Sequence, residues 1–228
     1  MTIDFHTHIL PNVDDGSGSI EESLELLRIC GKQGVGEVVL TPHFYPQYDT
    51  PQMFLEKRSQ AMEALLERVE PGMPALRLGA EVYYFPHMSH SDALRHLAIE
   101  GTDCIMVEMP ASPWTDRMYQ ELEAIWDIQG LTPIIAHVDR YVGWFRDFGI
   151  PKRLAELPVL VQANASSFLE GGKSMKMLKD RQIHLLGSDC HNLRSRKPNL
   201  GEARERIARK LGADALSWID ANGREVLK

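Results

Sequence analysis

Ile3-Asp4-Phe5-His6-Thr7-His8 decides how the rest of the chain is read. Its apolar, β-branched and aromatic residues favour an extended strand. Histidines two apart on a strand share a face, so His6 and His8 point the same way. Further along, short apolar runs recur at Glu37–Thr41, Ala75–Glu81, Cys104–Glu108, Pro133–His137, Val159–Ala163 and Ile183–Asp189. Together with Ile3–Thr7 they make seven strand candidates. Between them lie helix candidates at Ser19–Gln33, Pro51–Val69, Ser91–Ile99, Asp116–Gln129 and Gly172–Asp180, and Leu200–Leu211 and Asp214–Asn222 close the chain. Lys152–Glu156 reads as a short helical turn. Strand–helix alternation implies parallel strands joined by crossover helices. Seven such units suit a closed α/β barrel better than an open sheet.

Local chemistry supports several boundaries. Ser19-Ile20-Glu21-Glu22 has the capping-box pattern, Thr50-Pro51 places a capping residue before a proline, and Gly34 follows an apolar helical stripe as a stop. No internal repeat or linker interrupts the 228 residues, which read as one domain over 1–228.

The polar residues then fall into a pattern. The first strand candidate runs into His6 and His8, the second into His43, and the third into Glu81. The fourth ends in Glu108, the fifth in His137, and the seventh in Asp189 and His191. Six of seven strand candidates thus carry an imidazole or carboxylate at the end where a barrel gathers its active-site loops. Asp14 and Asp15, in the loop after the first strand, offer another carboxylate. Nitrogen and oxygen donors without thiolate favour zinc, manganese or iron, and the count suits two or three ions. His87, His90, His96 and His184 fall outside the pattern and read as surface or helix residues.

Composition narrows the functions. Twenty-five Lys+Arg against 32 Asp+Glu leave a formal charge of −7, which disfavours nucleic acid as a partner. No apolar run nears the roughly 18 residues that span a bilayer, so no membrane insertion is expected. The first residues have no basic region followed by an apolar stretch, so no secretory leader is expected. Three scattered cysteines form no disulfide framework, in keeping with a cytoplasmic location.

Taken together, Asp4-Phe5-His6-Thr7-His8-Ile9-Leu10-Pro11 with Asp14-Asp15-Gly16, Thr41-Pro42-His43, Gly79-Ala80-Glu81-Val82, Val107-Glu108-Met109-Pro110, His137-Val138-Asp139-Arg140 and Ser188-Asp189-Cys190-His191-Asn192 with Ser195-Arg196 resemble the PHP (polymerase and histidinol phosphatase) superfamily. More narrowly the chain is similar to its manganese-dependent tyrosine phosphatases of bacterial capsule and exopolysaccharide operons, the CpsB/CapC/YwqE type. The resemblance implies a distorted (β/α)7 TIM-like barrel and two or three divalent ions, manganese favoured over iron or zinc. It also implies hydrolysis of phosphotyrosine on a cognate tyrosine autokinase. By position it assigns His6, His8, His43, Glu81, Glu108, His137, Asp189 and His191 as metal ligands, with Asp14 chosen over Asp15 as a ninth. Arg140 and Arg196 match phosphate-contacting arginines. His137-Val138-Asp139-Arg140 stands where the family reads His-Pro-Glu-Arg, a departure that bears on loop shape and substrate preference.

The expected reaction is in-line attack on phosphorus by a metal-bridging hydroxide. The arginine forks would balance the phosphoryl oxygens, and His43 or a carboxylate would serve as proton donor. Phe44 and Tyr45, with Tyr48, are candidates to wall the substrate ring, with simple loop packing as the competing reading; Trp114 and Trp144 occupy comparable loops and carry the same two readings. Three alternatives stay open: a small-molecule phosphatase of the same type (on histidinol phosphate, for instance), an amidohydrolase, and a non-enzymatic phosphoprotein binder. An amidohydrolase would place a lysine where Glu108 stands. Cys190 to Arg196 also spells C-x5-R, the signature of cysteine-dependent phosphatases. Its loop contains no glycine, however, and Asp189 beside the thiol opposes thiolate formation.

Overall fold

In the computed structural model the opening stretch forms β1 (Thr2–Thr7), buried after its first residue. The structure describes residues 1–145 and 149–228, with 144 and 145 by backbone alone; the side chain of Trp144 lies outside the described residues. Eight further strands follow: β2 (Val35–Leu40), β3 (His43–Phe44), β4 (Ala75–Leu78), β5 (Glu81–Tyr83), β6 (Cys104–Glu108), β7 (Thr132–Ile135), β8 (Leu160–Asn164) and β9 (Leu185–Gly187). The helices are α1 (Ile20–Lys32), α2 (Pro51–Leu66), α3 (Leu94–Leu97), α4 (Asp116–Gln129), α5 (Val138–Phe145), α6 (Ile150–Leu154), α7 (Ala165–Glu170), α8 (Lys173–Lys179), α9 (Leu200–Leu211) and α10 (Ala213–Val226). No described helix is long and apolar enough to cross a membrane.

Every strand pairing is parallel, in the orders β1-β2-β4 and β3-β5-β6-β7-β8-β9. The two sheets are one curled wall. Thr41-Pro42 separates β2 from β3, and Gly79-Ala80 separates β4 from β5, so four short strands make two broken staves. The wall returns on itself where the Asp189 amide donates to the His6 carbonyl (2.8 Å) and the His8 amide to the Cys190 carbonyl (2.9 Å). Seven staves therefore close a distorted (β/α)7 barrel.

Two apolar clusters hold it. Along β6, Cys104 and Met106 share a face with Glu108, and with Ile3, Phe5, Ile134, Ala136 and Leu185 they pack the interior below the rim. The larger cluster lies between wall and helices, where Leu24, Leu27, Phe54, Leu65, Leu122 and Ile207 turn inward. Ser19 caps α1 by accepting the Glu22 amide, and Thr50 caps α2 by accepting that of Met53.

Three expectations need correction. Ala75–Glu81 is not one strand, because the wall bends at Gly79. The predicted helix Ser91–Ile99 is helical only at Leu94–Leu97, preceded by a 3-10 turn at Met88–His90. The short helical turn expected at Lys152–Glu156 is present as the end of α6 and the turn after it, while α5 before it and α7 directly after β8 have no counterpart among the helix candidates. His184 is no surface residue: it is partly buried beside β8 and accepts the Val161 amide on Nδ1 at 3.1 Å.

Candidate metal centre

Strand direction brings the six polar strand ends to one rim. Glu81, 1 % exposed, stands at the middle. Its Oε2 lies 3.0 Å from His6 Nε2, 3.3 Å from His8 Nε2 and 3.0 Å from His43 Nδ1, and its Oε1 lies 2.8 Å from His137 Nε2. Glu108 reaches to 3.6 Å of His137 and 3.9 Å of His43. Asp189 Oδ1 lies 3.4 Å from His8 Nε2 and 3.6 Å from His6 Nε2. All eight ligand candidates from the strand ends thus converge within one buried cluster.

The aspartate in the loop after β1 is where the expectation changes. Asp14 stands behind His8: its Oδ2 accepts from His8 Nδ1 at 2.6 Å and from the His43 amide at 2.9 Å, and its Oδ1 accepts the Gly16 amide. Burial pushes its carboxyl up, but His8 and the two amides outweigh that and hold it well below the usual carboxylate range. Gly16 is needed there, because a Cβ would sit 2.1 Å from the His8 carbonyl oxygen. Both Asp14 oxygens are committed to protein donors. Asp15 instead faces the centre, 3.4 Å from His191 Nε2 and 3.7 Å from His43 Nε2. The choice of Asp14 over Asp15 is therefore corrected: Asp15 supplies the free oxygen, and Asp14 orients His8.

The donors fall into three overlapping groups whose atoms lie within 4.8 Å of one another: His8, Asp15, His43 and His191; His6, His8 and Glu81; His43, Glu81 and Glu108. Several imidazoles have the nitrogen remote from the centre engaged by the protein. His6 Nδ1 meets Gln162 Oε1 at 3.3 Å, His8 Nδ1 meets Asp14, and His191 Nδ1 meets the Asp189 carbonyl at 3.0 Å. This arrangement aims the other nitrogen inward as an acceptor, which is what a metal requires. Nitrogen and carboxylate oxygen donors with no thiolate among them fit two or three borderline or hard divalent ions. Two of the donors sit on strained backbone: His137 at φ 33° and Asp189 at φ 54°. Such conformations cost about 1–3 kcal/mol each and persist where surrounding contacts enforce them.

Both arginines gather on Asp189. Arg196 Nη2 lies 2.6 Å from its Oδ1, and Arg140 pairs with its Oδ2. Burial raises the Asp189 carboxyl, yet His6, His8 and Arg140 hold it ionised, well below its ordinary value. The guanidinium groups are about one-third exposed and line a cavity of about 670 Å³ with Asn164, Ser167, Ser195 and Lys197.

The aromatic expectations divide. Tyr45 stacks on His43 with ring centroids 4.9 Å apart, and its hydroxyl donates to Glu108 Oε2 at 3.4 Å. Burial and the neighbouring Glu108 and Glu81 carboxylates raise its phenol, which stays protonated. Phe44 is corrected: it is 1 % exposed and faces Phe54 in the core, because alternate strand residues point oppositely. Trp114 likewise packs on Tyr119 and Tyr141. Cys190 is fully buried against the Cys30 thiol, which removes it as a nucleophile. Gln162, Asn164 and Asp4 were missed: uncharged or buried residues inside strands give no outward sign. Burial raises Asp4 to about 6 despite hydrogen bonds from Ser188 and the His6 amide.

A (β/α)7 barrel with imidazoles, carboxylates and two arginines at its C-terminal rim defines a metallohydrolase-type centre. The chain belongs to the CpsB/CapC family of capsular polysaccharide synthesis, whose model matches residues 2–228. It is 29 % identical over 229 residues to the tyrosine-protein phosphatase CpsB of Streptococcus pneumoniae, covering 92 % of this chain and 91 % of that protein. To YwqE, a tyrosine-protein phosphatase of Bacillus subtilis, it is 25 % identical over 244 residues, covering 99 % and 91 %. A solved structure of these metal-dependent tyrosine phosphatases superposes with a TM-score of 0.86 at 23 % identity, covering 99 % of this chain and 94 % of that one. A TatD-like protein of Archaeoglobus fulgidus shares the barrel more distantly, with a TM-score of 0.52 at 16 % identity and 99 % coverage of both.

Proposed function

We propose that residues 1–228 form one catalytic unit, a metal-dependent phosphomonoesterase that hydrolyses phosphotyrosine in proteins. Its physiological substrate is a tyrosine autokinase controlling capsule or exopolysaccharide synthesis in the cytoplasm. The observation that carries this reading is the junction at Asp189, a member of the ligand cluster that pairs with the guanidinium groups of both Arg140 and Arg196 and lines the same cavity as they do. Family membership and the tyrosine phosphatases among its relatives support the substrate class.

His6, His8, Asp15, His43, Glu81, Glu108, His137, Asp189 and His191 hold the ions, manganese being the favoured metal. When bound, these supply positive charge that acidifies water and offsets charge on the phosphoryl oxygens. The protein's own groups do the rest. Arg140 and Arg196 present planar forks that match phosphate geometry and stabilise the equatorial oxygens. Tyr45 offers an aromatic face beside His43 for the substrate ring. A phenol of pKa about 10 leaves without strong acid assistance. His43 is better used as a ligand than as the proton donor, because it belongs to two of the three donor groups.

Exhaustive chelation should abolish hydrolysis of p-nitrophenyl phosphate and of phosphotyrosine peptides, and Mn²⁺ should restore it. Arg196→Ala should lower turnover by about 10²–10³-fold with bound metal unchanged. Full activity after chelation would overturn the reading. A kcat/KM higher for histidinol phosphate than for phosphotyrosine peptides would replace the substrate class.

A further inference from the structure

β8 is the one stave that brings no imidazole or carboxylate to the rim. In its place stand Gln162 and Asn164, 0 % and 4 % exposed. Their hydrogen bonds run in one direction. His6 Nδ1 and the His137 amide both meet Gln162 Oε1, at 3.3 Å and 2.6 Å. Gln162 Nε2 donates to Asn164 Oδ1 at 3.1 Å, and Asn164 Nδ2 donates to Asp189 Oδ2 at 2.7 Å. The Asn164 amide itself donates to Asp139 at 2.8 Å.

We infer that Gln162 and Asn164 are positioning residues for the metal centre, a relay that sets the tautomer of His6 and the orientation of Asp189 from the strand between them and β7. The orientation of each amide follows from its partners. The backbone amide of His137 can only donate, so the Gln162 atom facing it is oxygen. That oxygen then requires a proton of His6 on Nδ1, which makes Nε2, 3.0 Å from Glu81 and 3.6 Å from Asp189, the nitrogen that faces the centre. The Gln162 nitrogen must donate, so Asn164 presents its own oxygen to it and its NH2 to the carboxylate. Each polar atom in the chain determines the next. The same oxygen satisfies the amide of His137, whose left-handed backbone (φ 33°) would otherwise leave a buried donor unpaired.

Gly187 makes the reach feasible. It lies on β9, between β8 and β1, paired with Asn164. A Cβ there would come within 2.4 Å of His6 Cβ and 2.8 Å of Gln162 Nε2. Only glycine lets the Gln162 amide cross β9 to His6. Neutral amides suit this role, since their burial carries no charge penalty once all hydrogen bonds are made.

The inference rests on metal binding at this centre, and its test separates the two. Wild type and Gln162→Met are compared as metal-free protein by long-range ¹H–¹⁵N correlation of the histidine rings, then titrated with Mn²⁺ alone by calorimetry. Asn164→Ala serves as a second variant should the first not fold. In the wild type His6 should be protonated on Nδ1. In Gln162→Met this preference should be lost, and either variant should bind Mn²⁺ about 10–100-fold more weakly. An unchanged His6 tautomer with wild-type affinity would overturn the relay. A wild-type protein that binds no Mn²⁺ would instead overturn the proposed function.

Discussion

Two strands bring a pair of polar residues, two apart, to the same rim: β1 with His6 and His8, and β8 with Gln162 and Asn164. Both pairs are nearly or fully buried. Their chemistry differs. The imidazoles lie among Glu81, Asp189 and Asp14, whereas the amides lie among imidazole, backbone and carboxylate, with a partner at each amide oxygen and nitrogen. A dense set of acids and imidazoles is a costly burial that only a bound cation or mutual ionisation can offset. A row of amides is self-sufficient. Burial and spacing therefore do not separate ligand from support; the partners do.

The sharpest way to break the comparison is His8→Ala. It removes the nitrogen that faces both Glu81 and Asp189, and p-nitrophenyl phosphate turnover should fall by about 10³-fold or more. Elemental analysis should show less bound metal. A variant with normal metal content would place β1 in the supporting class with β8.

Asp14 and Asp15 test the same distinction between neighbours in one loop. Asp15→Asn should lower Mn²⁺ affinity by about 10²-fold. Asp14→Asn should cost nearer tenfold, as expected for a group acting through His8. The reverse order in a calorimetric titration would return Asp14 to the ligands.

Smallest is the contrast at the end of β3, where Phe44 faces the core and Tyr45, just beyond the strand, faces His43. Tyr45→Ala should raise KM for an aryl phosphate by about 3–10-fold at similar kcat, the value of an aromatic contact. Phe44→Ala should leave KM alone and lower unfolding free energy in urea by about 3–5 kcal/mol. A KM effect from Phe44→Ala would mean that its ring reaches substrate.

How far the site could be read from sequence follows from the same physics. His6, His8, His43, Glu81, Glu108, His137, Asp189 and His191 were legible because charged and ligating residues seldom end apolar strands without a reason. Arg140 and Arg196 followed from motif. Asp14 and Asp15 could not be told apart, since the answer depends on which carboxylate the His8 ring turns toward. Phe44 and Trp114 resemble substrate-facing aromatics in a loop until their packing partners are known. The β4–β5 break at Gly79 depends on how the wall must bend to bring Glu81 to the centre, and α5 and α7 lie where short helices are stabilised by tertiary packing more than by propensity.

The alternation of apolar runs with helical segments, and the placing of imidazoles and carboxylates at the ends of those runs, are properties of the sequence alone. They are local, because strand periodicity and residue chemistry need no distant partner. Closure of the barrel through Asp189 and His6, the exchange of Asp14 for Asp15, and the Gln162–Asn164 relay across Gly187 exist only in three dimensions. Each depends on a contact between residues far apart in the chain or on which way a side chain turns, and no spacing rule encodes either.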